Sequence, residues 1–213
     1  MLTKRDKAII TDLNRFRVMD RNSIAELHFA NIKNPITAAN TVLLRLIREG
    51  HIQRTTATIP YCYYGNELTI KKNSAKIGHW LAILEVYKEM RKHRPVETFQ
   101  VEPKYGGKGT VEPDIFTVFR KTPFFIEVQK TLYSDKQMAE KINRYVDLCR
   151  SNVLPKPFPH VLIVSEQRYA IDGVWPFKVF QAQTFSQFIQ MLKPQQKAQP
   201  SKPVEGGIRI VVQ

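Results

Sequence analysis

The segment from Val111 to Lys130 constrains the fold most. Val111-Glu-Pro-Asp-Ile-Phe-Thr-Val-Phe-Arg120 and Phe124-Phe-Ile-Glu-Val-Gln-Lys130 are strand-like runs separated only by Lys121-Thr-Pro123. Apolar runs joined so tightly predict a β-hairpin. Side chains alternate faces along a strand, so Glu127 and Gln129 share one face, and either plausible two-residue connection sets Asp114 opposite Glu127 or Gln129. All three are expected on one side of the sheet, with Lys130 on the other. Two carboxylates set close together among Phe and Ile repel each other and are poorly solvated, and a hard divalent cation such as Mg²⁺ between them would relieve both costs. Such an ion polarises a phosphoryl oxygen, lowers the pKa of a bound water and stabilises the leaving oxygen, as a metal-dependent phosphodiesterase requires. The competing structural reading has Asp114 capping the start of a strand and Glu127 paired with a Lys or Arg.

Around this hairpin the chain divides into two units and a tail. Residues 3–17 carry Ile9, Ile10, Leu13 and Phe16 at helical spacing, and a second short helix is expected to start at Ser23. A third is announced by Asn34 as cap and Pro35 at its first position, carries Val42, Leu43, Leu46 and Ile47, and stops at Gly50. Residues 51–58 and 61–71 read as two strands. Three short helices followed by a hairpin predict a winged helix-turn-helix over residues 1–72. From residue 73 the pattern is a helix (74–93), three strands (96–101, 113–120, 124–130), a helix (134–151), a buried strand (160–165), and a last strand and helix (178–181, 185–192). This predicts an α+β protein whose second unit, residues 73–192, is built on a mixed central sheet. Residues 193–213 read as a flexible tail, in which residues 208–212 are a candidate edge strand.

Charge narrows the partners. The 33 Lys and Arg against 19 Asp and Glu give a net +14 over 213 residues. Residues 1–72 hold 12 basic and 6 acidic side chains, so +6 lies in the first unit and +8 in the remainder. Positive charge on both units points to a polyanion, nucleic acid first and an anionic membrane surface second. No apolar run approaches the roughly 20 residues of a spanning helix, and Lys4, Arg5, Asp6 and Lys7 open the chain with no apolar run behind them, so a soluble cytoplasmic protein is expected. Cys62 and Cys149 alone suit a reducing compartment and are too few for a thiolate zinc site. The five His residues show no ligand spacing.

In a winged helix the third helix offers its polar face to the major groove and the strand pair touches the backbone. The candidate DNA-binding residues are therefore Thr37, Asn40, Thr41, Arg45 and Arg48 on the helix, with Arg54, Lys71 and Lys72 in the wing, and most of them are expected at phosphates rather than bases.

Pro113-Asp114 followed by Glu127-x-Gln129, in a helix, three strands, helix, strand order, resembles the PD-(D/E)xK nuclease superfamily. Joined to an amino-terminal winged helix, and with Phe125-Ile-Glu-Val-Gln-Lys-Thr131 and Lys141-Ile-Asn-Arg-Tyr145, the chain is similar over residues 1–192 to the replication-relaxation family of plasmid and phage proteins. The resemblance implies double-stranded DNA as partner, with other replication or transfer proteins beside it, and leaves a homodimer open. It implies that Asp114 and Glu127 hold Mg²⁺, with Glu85 as an extra acid from the preceding helix, and sets Gln129 where the superfamily has its catalytic Lys. A neutral amide cannot supply the charge of an ammonium, so Lys141, one helix later, is the candidate substitute. Two readings follow: a DNA-binding accessory or regulatory protein whose nuclease-like unit does not cut, and a Mg²⁺-dependent endonuclease or nickase.

Overall fold

Helix α1 (Lys4–Phe16) begins with a capping box in which Thr3 and Asp6 each bond the other's backbone N–H, satisfying two donors that a helix start leaves open. Its apolar stripe Ile9, Leu13 and Phe16 is fully buried. A two-residue strand β1 (Met19–Asp20) leads into α2 (Arg21–Phe29). This helix starts two residues before the expected Ser23, because the Asp20 carboxylate accepts from the N–H groups of Asn22 (2.8 Å) and Ser23 (3.0 Å), and the Ser23 hydroxyl donates to it as well. An anionic acceptor at the positive end of the helix outcompetes the neutral hydroxyl. Helix α3 (Pro35–Arg48) has proline at its first position as expected, although the Asn34 side chain makes no capping bond. Strands β2 (Ile52–Thr55) and β3 (Cys62–Gly65) are shorter than the runs read from sequence, and β1 joins them as a third strand in the order β1-β3-β2. Two residues were too few to announce β1 by alternation. The computed structural model describes residues 1–56, 58–69, 74–171 and 173–192, so Lys71, Lys72 and the tail lie outside the described residues.

Helix α4 (Ala75–His93), capped by Ser74, opens the second unit. Strands β4 (Thr98–Val101), β5 (Ile115–Phe119) and β6 (Thr122–Gln129) form an antiparallel meander. Helix α5 (Asp135–Arg150) carries the chain across to β7 (His160–Ser165), parallel to β6, and β8 (Val179–Ala182) adds in parallel before α6 (Phe185–Met191). The five-stranded sheet runs β4-β5-β6-β7-β8, which makes the molecule a mixed α+β structure. The central position of β7 agrees with its unbroken apolar run. Phe119 pairs with Thr122, so the β5–β6 connection is the two-residue turn Arg120-Lys121, both with positive φ (50° and 65°). That is the turn geometry matching the twist of a hairpin, here adopted without glycine.

One face of the large sheet presents Phe124, Ile126 and Val128 to a cluster that contains residues of α4 and α6, while the other presents Phe125, Val161 and Ile163 to α5. The first cluster does not stop at the unit boundary. It runs without interruption from Ile9, Leu13 and Phe16 through Trp80, Leu84 and Met90 to Phe188. Phe16 packs against Tyr87 and Phe99 at ring separations of 4.8 and 5.9 Å, and the Arg15 guanidinium lies over all three rings while donating to the Phe99 carbonyl (3.2 Å). The amino-terminal unit is thus seated on the second through one continuous core. Among the described residues no helix is long and apolar enough to cross a membrane.

Candidate functional site

The β5–β6 register brings Asp114 and Glu127 together. Ile115 pairs with Ile126, so the preceding Asp114 falls opposite Glu127. Asp114 Oδ2 accepts the Val128 N–H at 2.7 Å, which extends the ladder by one bond beyond the start of β5. Its Oδ1 accepts from His79 Nε2 at 3.0 Å, a residue of α4. Glu127 is 1% exposed. Its Oε1 accepts the Tyr145 hydroxyl, and among the described residues Oε2 has the Lys141 ammonium as its sole partner. Lys141 and Tyr145 lie one turn apart on α5 and reach the sheet from the same helix face.

Burial pushes the Glu127 carboxyl up to about 7, and the neighbouring Asp114 charge adds to that, against the lowering pull of Lys141 and Tyr145. Burial also opposes ionisation of Asp114, yet the His79 hydrogen bond and the charges of His79 and Lys141 leave it below its ordinary value. His79 is raised, first by its hydrogen bond to Asp114. Desolvation opposes the Lys141 charge, but Glu127 and Asp114 together hold its pKa up. Each acid therefore has its own basic partner, His79 for Asp114 and Lys141 for Glu127, as buried ionisable groups require.

The site opens into a cavity of about 400 Å³ lined in part by Lys76, His79, Glu102, Gln129, Lys130 and Lys141. Glu102 ties the cavity to the amino-terminal unit: it accepts from Trp80 Nε1 (3.2 Å) and pairs with Arg17 (3.7 Å), the residue that ends α1. Gln129 lines the cavity but spends its amide on Thr131, donating to the carbonyl at 2.8 Å and the hydroxyl at 3.2 Å, so it stabilises the turn after β6 and makes no bond to either acid. Glu85 does not join the cluster. It is exposed on a different face of α4, six positions along the helix from His79, where it pairs with Lys88 at 2.8 Å and lines a separate cavity of about 440 Å³ beside Val128, Gln129 and Ser165.

A divalent cation such as Mg²⁺ takes about six oxygen ligands. Here every oxygen of Asp114 and Glu127 already faces a protein donor, and among the described residues no three His, Cys, Asp or Glu side chains gather in a way that would hold a metal. The residues as placed do not fit that ion, which would have to displace Lys141 and His79. The arrangement that sequence offered as the plainer alternative, with Asp114 capping the strand start and Glu127 paired with a basic side chain, is the one present. His79, Glu102 and Tyr145 complete the cluster. His79 lies 35 residues before its partner and Glu102 belongs to no periodic run, so neither carried a local signal; Tyr145 stood in the apolar stripe of its helix.

On α3, Thr37, Thr41 and Arg48 are exposed and Asn40 is half-buried. Arg45 is committed elsewhere, to Asp6 at 2.7 Å and Glu49 at 3.1 Å. Asp6 is buried, so this bond fastens α3 to the start of α1. Exposed Arg54 lies over the Tyr61 ring at 4.8 Å.

Glu127 binds its proton more tightly folded than unfolded, so its contribution to stability is full below about pH 4.5 and is lost as the pH rises through about 7. His79, raised from 6.5, loses its contribution in the same direction at higher pH, while lowered Asp114 loses its own only on acidification below its ordinary 3.8. The urea midpoint is expected to decline between about pH 5 and pH 8, and Glu127→Gln should flatten the lower half of that decline. An unchanged slope in the variant would contradict the assignment of that proton to Glu127.

Compared with known proteins, the chain matches no family model, no curated protein and no solved structure.

Proposed function

We propose that this protein binds double-stranded DNA through a winged helix-turn-helix in its amino-terminal unit, and that its second unit is a PD-(D/E)xK nuclease-like domain that binds without cutting. The observation that carries the reading is the outward face of α3. It presents Thr37, Thr41 and Arg48 to solvent with Asn40 half-buried among them, and residues 27–48 contain no Asp or Glu to repel phosphate. The following strands β2 and β3, with Arg54 exposed, suit contact with the backbone beside a groove-bound helix. Support for the nuclease likeness comes from the antiparallel β4–β5–β6 meander, the α5 crossover to parallel β7, and the meeting of Asp114 with Glu127 at the sheet end. Support for the absence of cutting comes from Lys141 and His79, which occupy the carboxylate oxygens a metal would need. Kinship with the replication-relaxation family, and an accessory or regulatory role in a plasmid or phage beside other replication or transfer proteins in the cytoplasm, belong to the same proposal and rest on the residue pattern alone.

Fluorescence anisotropy with a labelled duplex tests the binding. If about six phosphates are contacted, affinity should fall roughly a thousandfold between about 50 and 200 mM salt. A flat salt response, or no affinity at low salt, would remove the DNA reading. Supercoiled plasmid incubated with Mg²⁺ or Mn²⁺ should stay intact, and Asp114→Asn should bind duplex as tightly as the parent. Cleavage that is lost in Asp114→Asn would establish the endonuclease reading instead.

A further inference from the structure

Helix α3 carries two large apolar side chains on its exposed side, Ile36 at 39% and Leu44 at 58% exposure, although Leu43 and Leu46 beside them are fully buried. At 100° per residue, Leu44 projects from the exposed arc between Asn40 and Arg48 on the i±4 row and between Thr41 and the half-buried Ile47 on the i±3 row. The Thr41 hydroxyl donates to the Thr37 carbonyl at 3.1 Å, so its proton is spent on the helix itself. The middle of this face is therefore an exposed branched alkyl group bordered by an amide, a threonine, a cation and the half-buried Ile47, with Ile36 about two turns away. One exposed leucine with a partly exposed isoleucine two turns away is too small a patch for stable protein docking, which buries several hundred Å² per partner. It does match a base-pair edge in the major groove, where thymine alone among the four bases presents a methyl group and adenine offers an amide its paired donor and acceptor. The lack of acid from residue 27 to residue 48 lets such an edge approach.

We propose that Leu44 is a specificity-determining residue that packs against the 5-methyl group of a thymine in the major groove, so that the DNA sites this protein prefers carry an A·T pair beneath the middle of α3. Asn40, one turn earlier, is positioned to read an adjacent adenine. The inference rests on the DNA-binding reading above and adds to it the kind of sequence bound.

The test is a selection from a random duplex library by the full chain, followed by resynthesis of the recovered duplex with deoxyuridine replacing each thymidine in turn. Uracil pairs as thymine does and lacks only the methyl. At one position the replacement should weaken parental binding about three- to fivefold, as expected for one buried methyl group. Leu44→Ala should lose a similar factor on the thymine duplex and show no difference between thymine and uracil there. Its thermal midpoint should match the parent because the side chain is exposed. Sequence-specific binding with no thymine-to-uracil effect, a selection that returns no preferred sequence, or an effect that persists in Leu44→Ala would each overturn the role of Leu44 while leaving DNA binding intact. Failure to bind any duplex at low salt would instead bring down the DNA reading itself, and this inference with it.

Discussion

Lys141→Met is expected to lower the unfolding free energy by about 3–5 kcal/mol, the usual result of stripping the partner from a buried charge. Glu127 is 1% exposed and has the Lys141 ammonium on one oxygen and the Tyr145 hydroxyl on the other. Without the ammonium the carboxylate must stay charged in an apolar setting or take up a proton. The variant should therefore regain stability as the pH falls, because protonation removes the uncompensated charge. Adding Glu127→Gln should restore most of the loss, since the polar pair is then replaced by groups that need no counter-charge. Urea denaturation of the parent, the single variant and the double variant decides the matter. A single-variant loss below about 1 kcal/mol would mean that water, rather than Lys141, balances the carboxylate.

Phe16→Ala should cost about 3–5 kcal/mol as well, by removing a buried ring and leaving a cavity. What distinguishes this site is its reach. Phe16 belongs to the first unit, but Tyr87 and Phe99 of the second pack against it, and Arg15 covers all three rings. The loss is accordingly expected in one cooperative transition of the whole molecule, read identically by tryptophan fluorescence from Trp80 and Trp175 and by far-ultraviolet circular dichroism. Two separated transitions, only the first of them shifted, would show that the junction does not couple the units.

Helical periodicity and punctuation were enough to find all six helices and seven of the eight strands among the described residues, because their apolar stripes and caps are local. Pro35 marked the start of α3, and the run at β7 announced a strand buried on both sides. The start of α2 was misread because Ser23 and Asp20 both offer a capping oxygen, and sequence does not say which geometry wins. That Asp114 would share a face with Glu127 and Gln129 was also legible, but which of the two it opposes was not, and the two-residue turn at Arg120-Lys121 decides for Glu127. The partners of those acids were another matter. Lys141 was singled out for charge, whereas His79 was passed over because its approach depends on how α4 lies across the sheet. Glu85 was assigned from the resemblance, and the rotation of α4 places it outside the site. Arg45 looked like a DNA contact until the fold brought buried Asp6 against it, a meeting across 39 residues that no periodicity predicts.

The Arg17–Glu102–Trp80 chain, together with the core that runs across the unit boundary, bears on how this protein can be taken apart. A fragment ending near residue 69 would keep its helices but present Phe16 and the underside of Arg15 to solvent, and the complementary fragment would uncover Tyr87 and Phe99. Neither half is a cassette that can be transplanted by cutting between residues 69 and 74. A domain-swapped chimera will need its graft surface redesigned with polar residues, or the recipient must supply an aromatic shelf of its own.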